Sequence, residues 1–450
     1  MAIRRHRLLD LLLLLAAALW LLAGLAHADG RRGRARRRPV TVIYHGAGCT
    51  DGYTSRYVAE RFFRSSASGR RAQARGDVRY IASTYGDAPP KNLSGHDVYV
   101  VDFSFPRDQL LSLSKIAHSL TVLDHHKSAK ERLEGLPFCT FDMKKAGARL
   151  TWERFFGNKP APGLVAYAED YDLWRFALPS SKEINAAIAS YPKSFENFRH
   201  LDRRLRRAPQ HAPSKSLVQE GAAILAERKK LVAAAVSGAV EVELAGHRVL
   251  AANVNGKEIS NDTAHALAKG RAFSVMWLQE PDGRIKLSLR SEKDGGADVS
   301  AIAKAFPGGG GHPNAAGFTT DGLPFAVLSG GKAPTAPSKA AIARIRRPPA
   351  LSRKLAKHAR AAIKRERARL VEQVARGAHA RVEGNKRGLV VNASAMTDAV
   401  ARRLARSEGV DFALVWTALP GGQFLYTRCE NGRVSAEIKG QPPAGPAPQK

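Results

Sequence analysis

Apolar, β-branched runs alternate with amphipathic stretches in the first part of the chain. Val40–Tyr44, Val78–Ala82, Val98–Phe103 and Ser119–Leu123 read as strands, while Thr54–Arg64 and Asp108–Ile116 carry helical spacing. Such alternation predicts an α/β domain whose parallel sheet is covered by helices, with ligands bound beyond the carboxyl ends of the strands. From Ala146 to about Ala189 the pattern turns helical, and Ser216–Val236 reads as one long connecting helix. A second, smaller α/β domain is predicted from strands at Val240–Leu244, Arg248–Asn253, Phe273–Gln279 and Ile285–Arg290, followed by a helix at Val299–Phe306.

The Gly/Pro/Ser-rich stretch Ser329–Ala350 reads as a linker. Beyond it the second domain is echoed: Lys364–Ala375 resembles Glu227–Val236, Gly388–Leu404 resembles Val249–Leu267, and Phe412–Trp416 resembles Phe273–Trp277. A degenerate duplication is the economical explanation, shared helix and strand periodicity being the bland one. The expected order is therefore a signal-like or over-extended N-terminus (1–38), a first α/β domain (39–200), a helical connector (201–238), a second α/β domain (239–328), a linker (329–350), a basic repeat (351–440) and a tail (441–450).

Composition changes this picture in three places. The net charge of +32 over 450 residues sits mostly at the ends, since residues 1–38 carry nine Arg against two acids and residues 321–450 carry 24 Lys/Arg against nine acids. Basic surfaces attract polyanions, although a basic helix such as Lys354–Arg369 is equally a solvated face. The three cysteines, Cys49, Cys139 and Cys429, are too few and too dispersed for a disulfide framework and point weakly to a reducing compartment. Against that, Arg4, Arg5 and Arg7 precede an apolar run that ends at Ala26-His27-Ala28, the pattern of an export signal. A cytoplasmic location is favoured, with export or anchoring left open.

Chemistry gathers at the predicted strand ends. His45, Cys49 and Asp51 follow the first strand, Asp102 ends the third, Asp124-His125-His126 ends the fourth, and Glu169-Asp170-Tyr171-Asp172 follows a helical stretch. Carboxylates and imidazoles with almost no thiolate suit Mn2+ and similar divalent ions. Two such ions can share a hydroxide and steady both oxygens of a phosphoryl displacement. A lone His45 or Asp102 would more often be a satisfied polar residue, but adjacent imidazoles beside a buried carboxylate are costly unless something binds them.

Asp124-His125-His126 with its flanking motifs resembles the DHH phosphoesterase superfamily, whose members include RecJ-type exonucleases, oligoribonucleases, cyclic-dinucleotide phosphodiesterases and exopolyphosphatases. The run Gly308-Gly309-Gly310-Gly311-His312-Pro313-Asn314-Ala315-Ala316-Gly317-Phe318 resembles the signature of the accessory DHHA1 domain, so the likeness spans about residues 39–320. By that resemblance His45, Asp51, Asp102, His125 and an acid of the 170–172 cluster would hold two Mn2+ ions, with Mg2+ or Co2+ as alternatives. Asp102 would bridge them, His126 would lie beside the scissile phosphate, and Asp124 would join them as the catalytic set. The spacing Asp-Leu-Trp-Arg-Phe favours Asp172 over Asp170 as the last ligand.

Where many relatives have Asp-x-Asp in the first motif, this chain has Cys49-Thr50-Asp51, which puts a softer ligand, or none, at the first ion. In the second domain, glycines at 309, 310 and 311 would let backbone N–H groups approach a phosphate or base. His312 and Asn314 would add side-chain donors, and Arg290 a charge partner for a non-scissile phosphate. The implied activity is two-metal hydrolysis of short RNA or DNA oligonucleotides or small nucleotides, because no aromatic series marks a long single-strand track. An exopolyphosphatase and a catalytically decayed nucleic-acid-binding protein are the rivals; a basic-tail contact with nucleic acid and a homodimer stay open.

Overall fold

Four of the five strands of the first sheet are the predicted ones: β1 (Val40–His45), β2 (Val78–Ser83), β3 (Asp97–Val101) and β4 (Ser119–Asp124). The fifth, β5 (Cys139–Phe141), is a three-residue edge too short to show periodicity. The computed structural model describes residues 38–46, 48–206, 215–280, 284–327, 343, 346–347, 357–418 and 423–440. The signal-like segment, nearly all of the linker and the tail at 441–450 lie outside the described residues. Among the described residues no helix is long and apolar enough to cross a membrane.

The strands run in the order β2-β1-β3-β4-β5, every neighbouring pair parallel. The chain leaves β1 for β2 on one side and returns past β1 to β3 on the other. This reversal opens a crevice at the carboxyl ends of β1 and β3, where such sheets bind ligands. Helices α1 (Thr50–Ser65), α2 (Ala67–Ala74), α3 (Arg107–Ile116) and α4 (Lys127–Leu133) connect the strands, and α5 (Gly147–Phe156) and α6 (Gly163–Asp172) follow β5. One side of the sheet buries Ile43, Val98, Val100 and Val122 with Leu110, Leu113 and Leu133. Val58, Ala148, Trp152 and Val165 form a separate cluster among α1, α5 and α6. Each buried Val, Leu or Ile side chain of these clusters contributes about 1.5–3 kcal/mol.

This first compact unit extends to Arg175 and takes in Phe198–Asp202; the second comprises Phe176–Asn197 and everything from Arg203. Helix α7 (Ser181–Ser190) belongs to the second unit, and α8 (Phe195–Arg206) is shared along its length. The predicted connector is α9 (Lys215–Ser237). A seven-stranded sheet follows, built from β6 (Val240–Leu244), β7 (His247–Asn253), β8 (Ser274–Gln279), β9 (Ile285–Arg290), β10 (Gly310–His312), β11 (Ala315–Thr320) and β12 (Ala326–Val327). Helices α10 (Lys257–Ala268) and α11 (Val299–Lys304) complete it.

The echo is a true repeat. Helix α12 (Lys357–Ala375), strands β13 (His379–Glu383) and β14 (Lys386–Asn392), helix α13 (Thr397–Leu404), and strands β15 (Phe412–Ala418) and β16 (Phe424–Glu430) follow the order of α9 to β9. Both copies pair their strands antiparallel, parallel, antiparallel. They also pack on one another through exchanged contacts at an offset of 139 residues. Asn253 and Asn392 donate to each other's side-chain oxygen at 2.8 and 3.3 Å. Asn255 N–H donates to Ser394 Oγ at 3.1 Å, and Ser394 N–H donates back to Asn255 Oδ1 at 2.8 Å. Arg228 meets Glu366 at 2.7 Å while Arg367 meets Glu227 at 2.5 Å. Such reciprocity is the signature of a two-fold, self-complementary interface, here enclosed within one chain. The repeat lacks a counterpart of α11 and the glycine run: β16 turns through Asn431-Gly432, both at positive φ, directly into β17 (Arg433–Lys439).

Candidate metal centre

Most predicted ligands converge on the rim where β1, β3 and β4 end. His45 closes β1, and Cys49 caps α1, its sulfur accepting the Gly52 N–H at 3.4 Å. Asp51, in the first turn of α1, is buried and accepts the N–H groups of Gly147 and Ala148 at 2.7 and 3.1 Å. The positive end of α5 therefore faces that carboxylate. Asp102 follows β3 with φ +61°, outside the range most side chains adopt, which turns its carboxylate away from the strand direction. A Cβ on Gly147 would lie 2.4 Å from the Asp102 Cβ, so only glycine lets α5 start this close to the bend.

Three overlapping groups result, with donor atoms inside each within 4.8 Å of one another: His45, Cys49 and Asp102; Asp102, His125 and His126; Asp51, His125 and Asp172. His125 Nε2 lies 3.1 Å from Asp102, 3.4 Å from Asp172 and 3.9 Å from Asp51. Asp102 and His125 each belong to two groups, the sharing that a pair of close ions requires. Asp170 is in none of them among the described residues, although it is buried one helical position from the ion-paired Glu169.

The electrostatics suit a cation. Burial, then the neighbouring Asp102 and Asp172, pushes the Asp51 carboxyl well above the usual range. Burial and Asp102 likewise push Asp172 up. Burial alone would raise Asp102 too, but hydrogen bonds with His125 and His45 hold it low. The cluster is therefore short of positive charge, and oxygen and imidazole donors fit a hard or borderline divalent ion. Cys49 is less well suited: burial and the adjacent Asp102 and Asp51 push its thiol up, and Sγ sits 3.4 Å from Asp102 Oδ2 as a donor. It spends its lone pairs partly on capping a helix.

Around these groups lies a supporting layer. Asp124 is fully buried and accepts from the Ser104 hydroxyl, from both histidine backbone N–H groups and from His126 Nδ1 at 2.7 Å. This fixes the His126 ring with Nε2 as the nitrogen available to a ligand.

Residues 241–326 match the DHHA1 domain family. The second domain is thus of the DHHA1 type. The chain is 28% identical over 303 residues to the uncharacterized protein R106 of Acanthamoeba polyphaga mimivirus, covering 63% of this chain and 68% of that one. Among solved structures it is similar to the DHH domain of a member of a family of ribosomal proteins, at 15% identity and TM-score 0.45 over 63% of this chain and 83% of that one. It is also similar to the pGpG-specific phosphodiesterase PggH of Vibrio cholerae, at 12% identity and TM-score 0.36 over 62% and 93%. At these TM-scores the structural likenesses are loose and carry no weight of their own.

In the DHHA1 domain the glycine run is a β-hairpin rather than a slack turn, with β10 pairing antiparallel to β11. A Cβ on Gly309 would strike the Ala303 carbonyl at 2.0 Å, and Gly311, at φ +147°, would strike Ala315 O at 2.5 Å. Gly310 faces open space and lines a cavity of about 510 Å³ together with Arg290. His312 is exposed, whereas the Asn314 amide donates to Ser291 Oγ and Glu292 O at 3.0 and 2.8 Å and so ties down the neighbouring turn. Arg290 is half-buried and donates to Leu289 O and Asn261 Oδ1.

Three contributors escaped the sequence reading. Gly147 and Ser104 act on carboxylates distant in sequence and carry no motif. Tyr85, 45% exposed, stands 5.7 Å by ring centroid from both His45 and His126. Its position just beyond a strand end was the available signal.

Proposed function

We propose that this protein is a divalent-metal-dependent phosphoesterase of the DHH/DHHA1 type that hydrolyses phosphodiester bonds in short oligonucleotides or small nucleotides. The observation that carries this reading is the pair of shared donors, Asp102 and His125, joining three carboxylate-imidazole groups on one sheet rim. His45, Asp51, Asp102, His125 and Asp172 would hold two ions, preferentially Mn2+, with Cys49 a weak ligand at the first. Bound there, the ions would supply an activated water and neutralise phosphate charge.

The protein's own groups do the rest. Asp102 spans two donor groups with one carboxylate, Asp51 is oriented by the start of α5, and Asp124 anchors His126 so that its outer nitrogen can donate to a phosphate oxygen. Tyr85 offers a ring to a base at the edge of the site. In the DHHA1 domain, Arg290, Gly310 and His312 would contact substrate, with Gly309, Gly311 and Asn314 shaping the hairpin.

The test is a panel of dinucleotides, cyclic dinucleotides, 3′-phosphoadenosine phosphate and polyphosphate, assayed with Mn2+, Mg2+ and Co2+ beside an Asp102→Ala protein. Turnover of at least one nucleotide, with a loss of about a thousandfold in the variant, is expected. Full rate in Asp102→Ala would refute the ligand assignment, and orthophosphate release from polyphosphate alone would transfer the activity to that substrate.

A further inference from the structure

Helix α6 delivers Asp172 to the rim and then ends in a turn that its sequence does not suit. Leu173 caps the helix, the Trp174 N–H donates to Tyr171 O at 3.0 Å, and the Arg175 N–H donates to Asp170 O at 2.9 Å. This pair of bonds is the Schellman closure, which needs a left-handed residue one place past the cap and usually takes glycine there. Trp174 fills that place at φ +56°. Elsewhere the chain keeps to the rule: α2, α4 and α10 are each followed at the same place by a left-handed glycine, Gly76, Gly135 and Gly270.

The indole is unfavourably placed for packing as well. Trp174 keeps 72% of its surface exposed, more than any other large hydrophobic side chain among the described residues, whereas Trp152, Trp277 and Trp416 are buried. Tyr171, at 5.9 Å between ring centroids, backs it on one side. A left-handed backbone penalises a side chain bulkier than glycine, and an exposed indole forgoes the stabilisation that burial would give. Strain kept at such a place points to a use outside the fold, and the surroundings say which. Two Cα steps put Trp174 within about 7.6 Å of Asp172 along the backbone, and Asp172 lies 3.4 Å from His125 in the group that they form with Asp51. Tyr85 stands beside His45, of the group with Cys49 and Asp102. The two outer donor groups thus each have an exposed aromatic neighbour.

We propose that Trp174 is a base-stacking residue, its indole holding the nucleobase on one side of the scissile phosphate while Tyr85 serves the base on the other. The proposal deepens the phosphoesterase reading and rests on it for the identity of the substrate. Every base has a π face, so stacking on an indole fixes position with little regard to sequence. The Schellman closure pins the backbone of Trp174 through its own N–H and that of Arg175. The ring is therefore carried by an ordered turn, and less freedom is lost when a ligand arrives. The arrangement also separates substrates: a dinucleotide engages both rings, a nucleoside bisphosphate one, and polyphosphate neither.

The experiment compares the full chain with its Trp174→Ala, Trp174→Phe, Trp174→Gly and Tyr85→Ala variants. KM and kcat are measured with Mn2+ for a dinucleotide and for two analogues, one abasic at its 5′ residue and one at its 3′ residue, and a thermal melt is recorded for each protein. Trp174→Ala is expected to raise KM for the dinucleotide about ten- to a hundredfold, to change kcat far less, and to leave KM unchanged for the one analogue that lacks the base it serves. Tyr85→Ala should be indifferent to the other analogue. Trp174→Phe should retain most of the affinity. Trp174→Gly should lose it as alanine does yet melt no lower than the wild type, because glycine suits the turn. An unchanged KM in Trp174→Ala, or equal losses on the dinucleotide and both analogues, would overturn the stacking role. Indifference of the Trp174 and Tyr85 variants to the same analogue would overturn the two-sided arrangement. A wild-type protein that hydrolyses no nucleotide, but whose tryptophan fluorescence a dinucleotide quenches only when Trp174 is present, would uphold the stacking and defeat the phosphoesterase reading.

Discussion

Single atoms decide how the rim is built. A methyl group at residue 147 would meet the Asp102 side chain at 2.4 Å, so Gly147→Ala should displace the shared carboxylate. Misplacement on that scale costs about a hundredfold in rate; steady-state kinetics beside a melting curve would show activity falling far more than stability. Cys49 is the opposite case, a residue that caps a helix but serves an ion poorly. Cys49→Asp keeps the capping function and adds a hard donor, so the Mn2+ concentration for half-maximal activity should fall about tenfold, read from a metal titration. Tyr85→Ala should raise KM for dinucleotides by about ten- to a hundredfold through lost stacking while sparing any polyphosphate activity. Equal effects on both substrates would remove Tyr85 from base recognition.

Between elements, the most consequential contacts are those exchanged by α9 and α12. Arg228 and Glu366 are both buried, and Glu366 also accepts from Arg369 at 2.9 and 3.0 Å. Burial alone would raise the Glu366 carboxyl, but Arg369 and Arg228 hold it below its ordinary value. A depressed folded-state value means that its contribution is complete above the unfolded-state pKa of about 4.3. It is lost as pH falls through the folded value. Urea midpoints measured downward from pH 6 should therefore decline, and Glu366→Gln should flatten the acid part of that decline. Arg228→Met leaves Glu366 with one arginine and should cost about 3 kcal/mol in the transition of the second unit.

At the scale of the whole chain, all the proposed metal ligands lie in the first compact unit and the DHHA1 domain with its repeat in the second. A ligand stabilises the unit that binds it, by about 2.7 kcal/mol at a hundred times its Kd. Calorimetry of the chelator-treated protein should show a transition that moves up on adding Mn2+ and another that stays in place. Movement of both together would mean that the ions are not confined to the rim.

The order of strands and helices, and the clustering of acids and histidines at strand ends, were readable in the sequence because periodicity and loop position are local properties. The second domain and its repeat were readable for the same reason, each half carrying its own alternation. The reciprocal Arg–Glu and Asn–Asn exchanges were hidden, since partners 139 residues apart leave no periodic trace. The choice between Asp170 and Asp172 of α6 was only weighted by the Asp-Leu-Trp-Arg-Phe spacing, which favoured Asp172: two positions on a helix point about 200° apart. Only packing decides which faces the rim, and it brings Asp172 to His125. Asp102 illustrates the division best. Its presence after β3 was written in the chain, but its left-handed turn and its partners depend on a helix start 45 residues further on, and only the folded chain brings the two together.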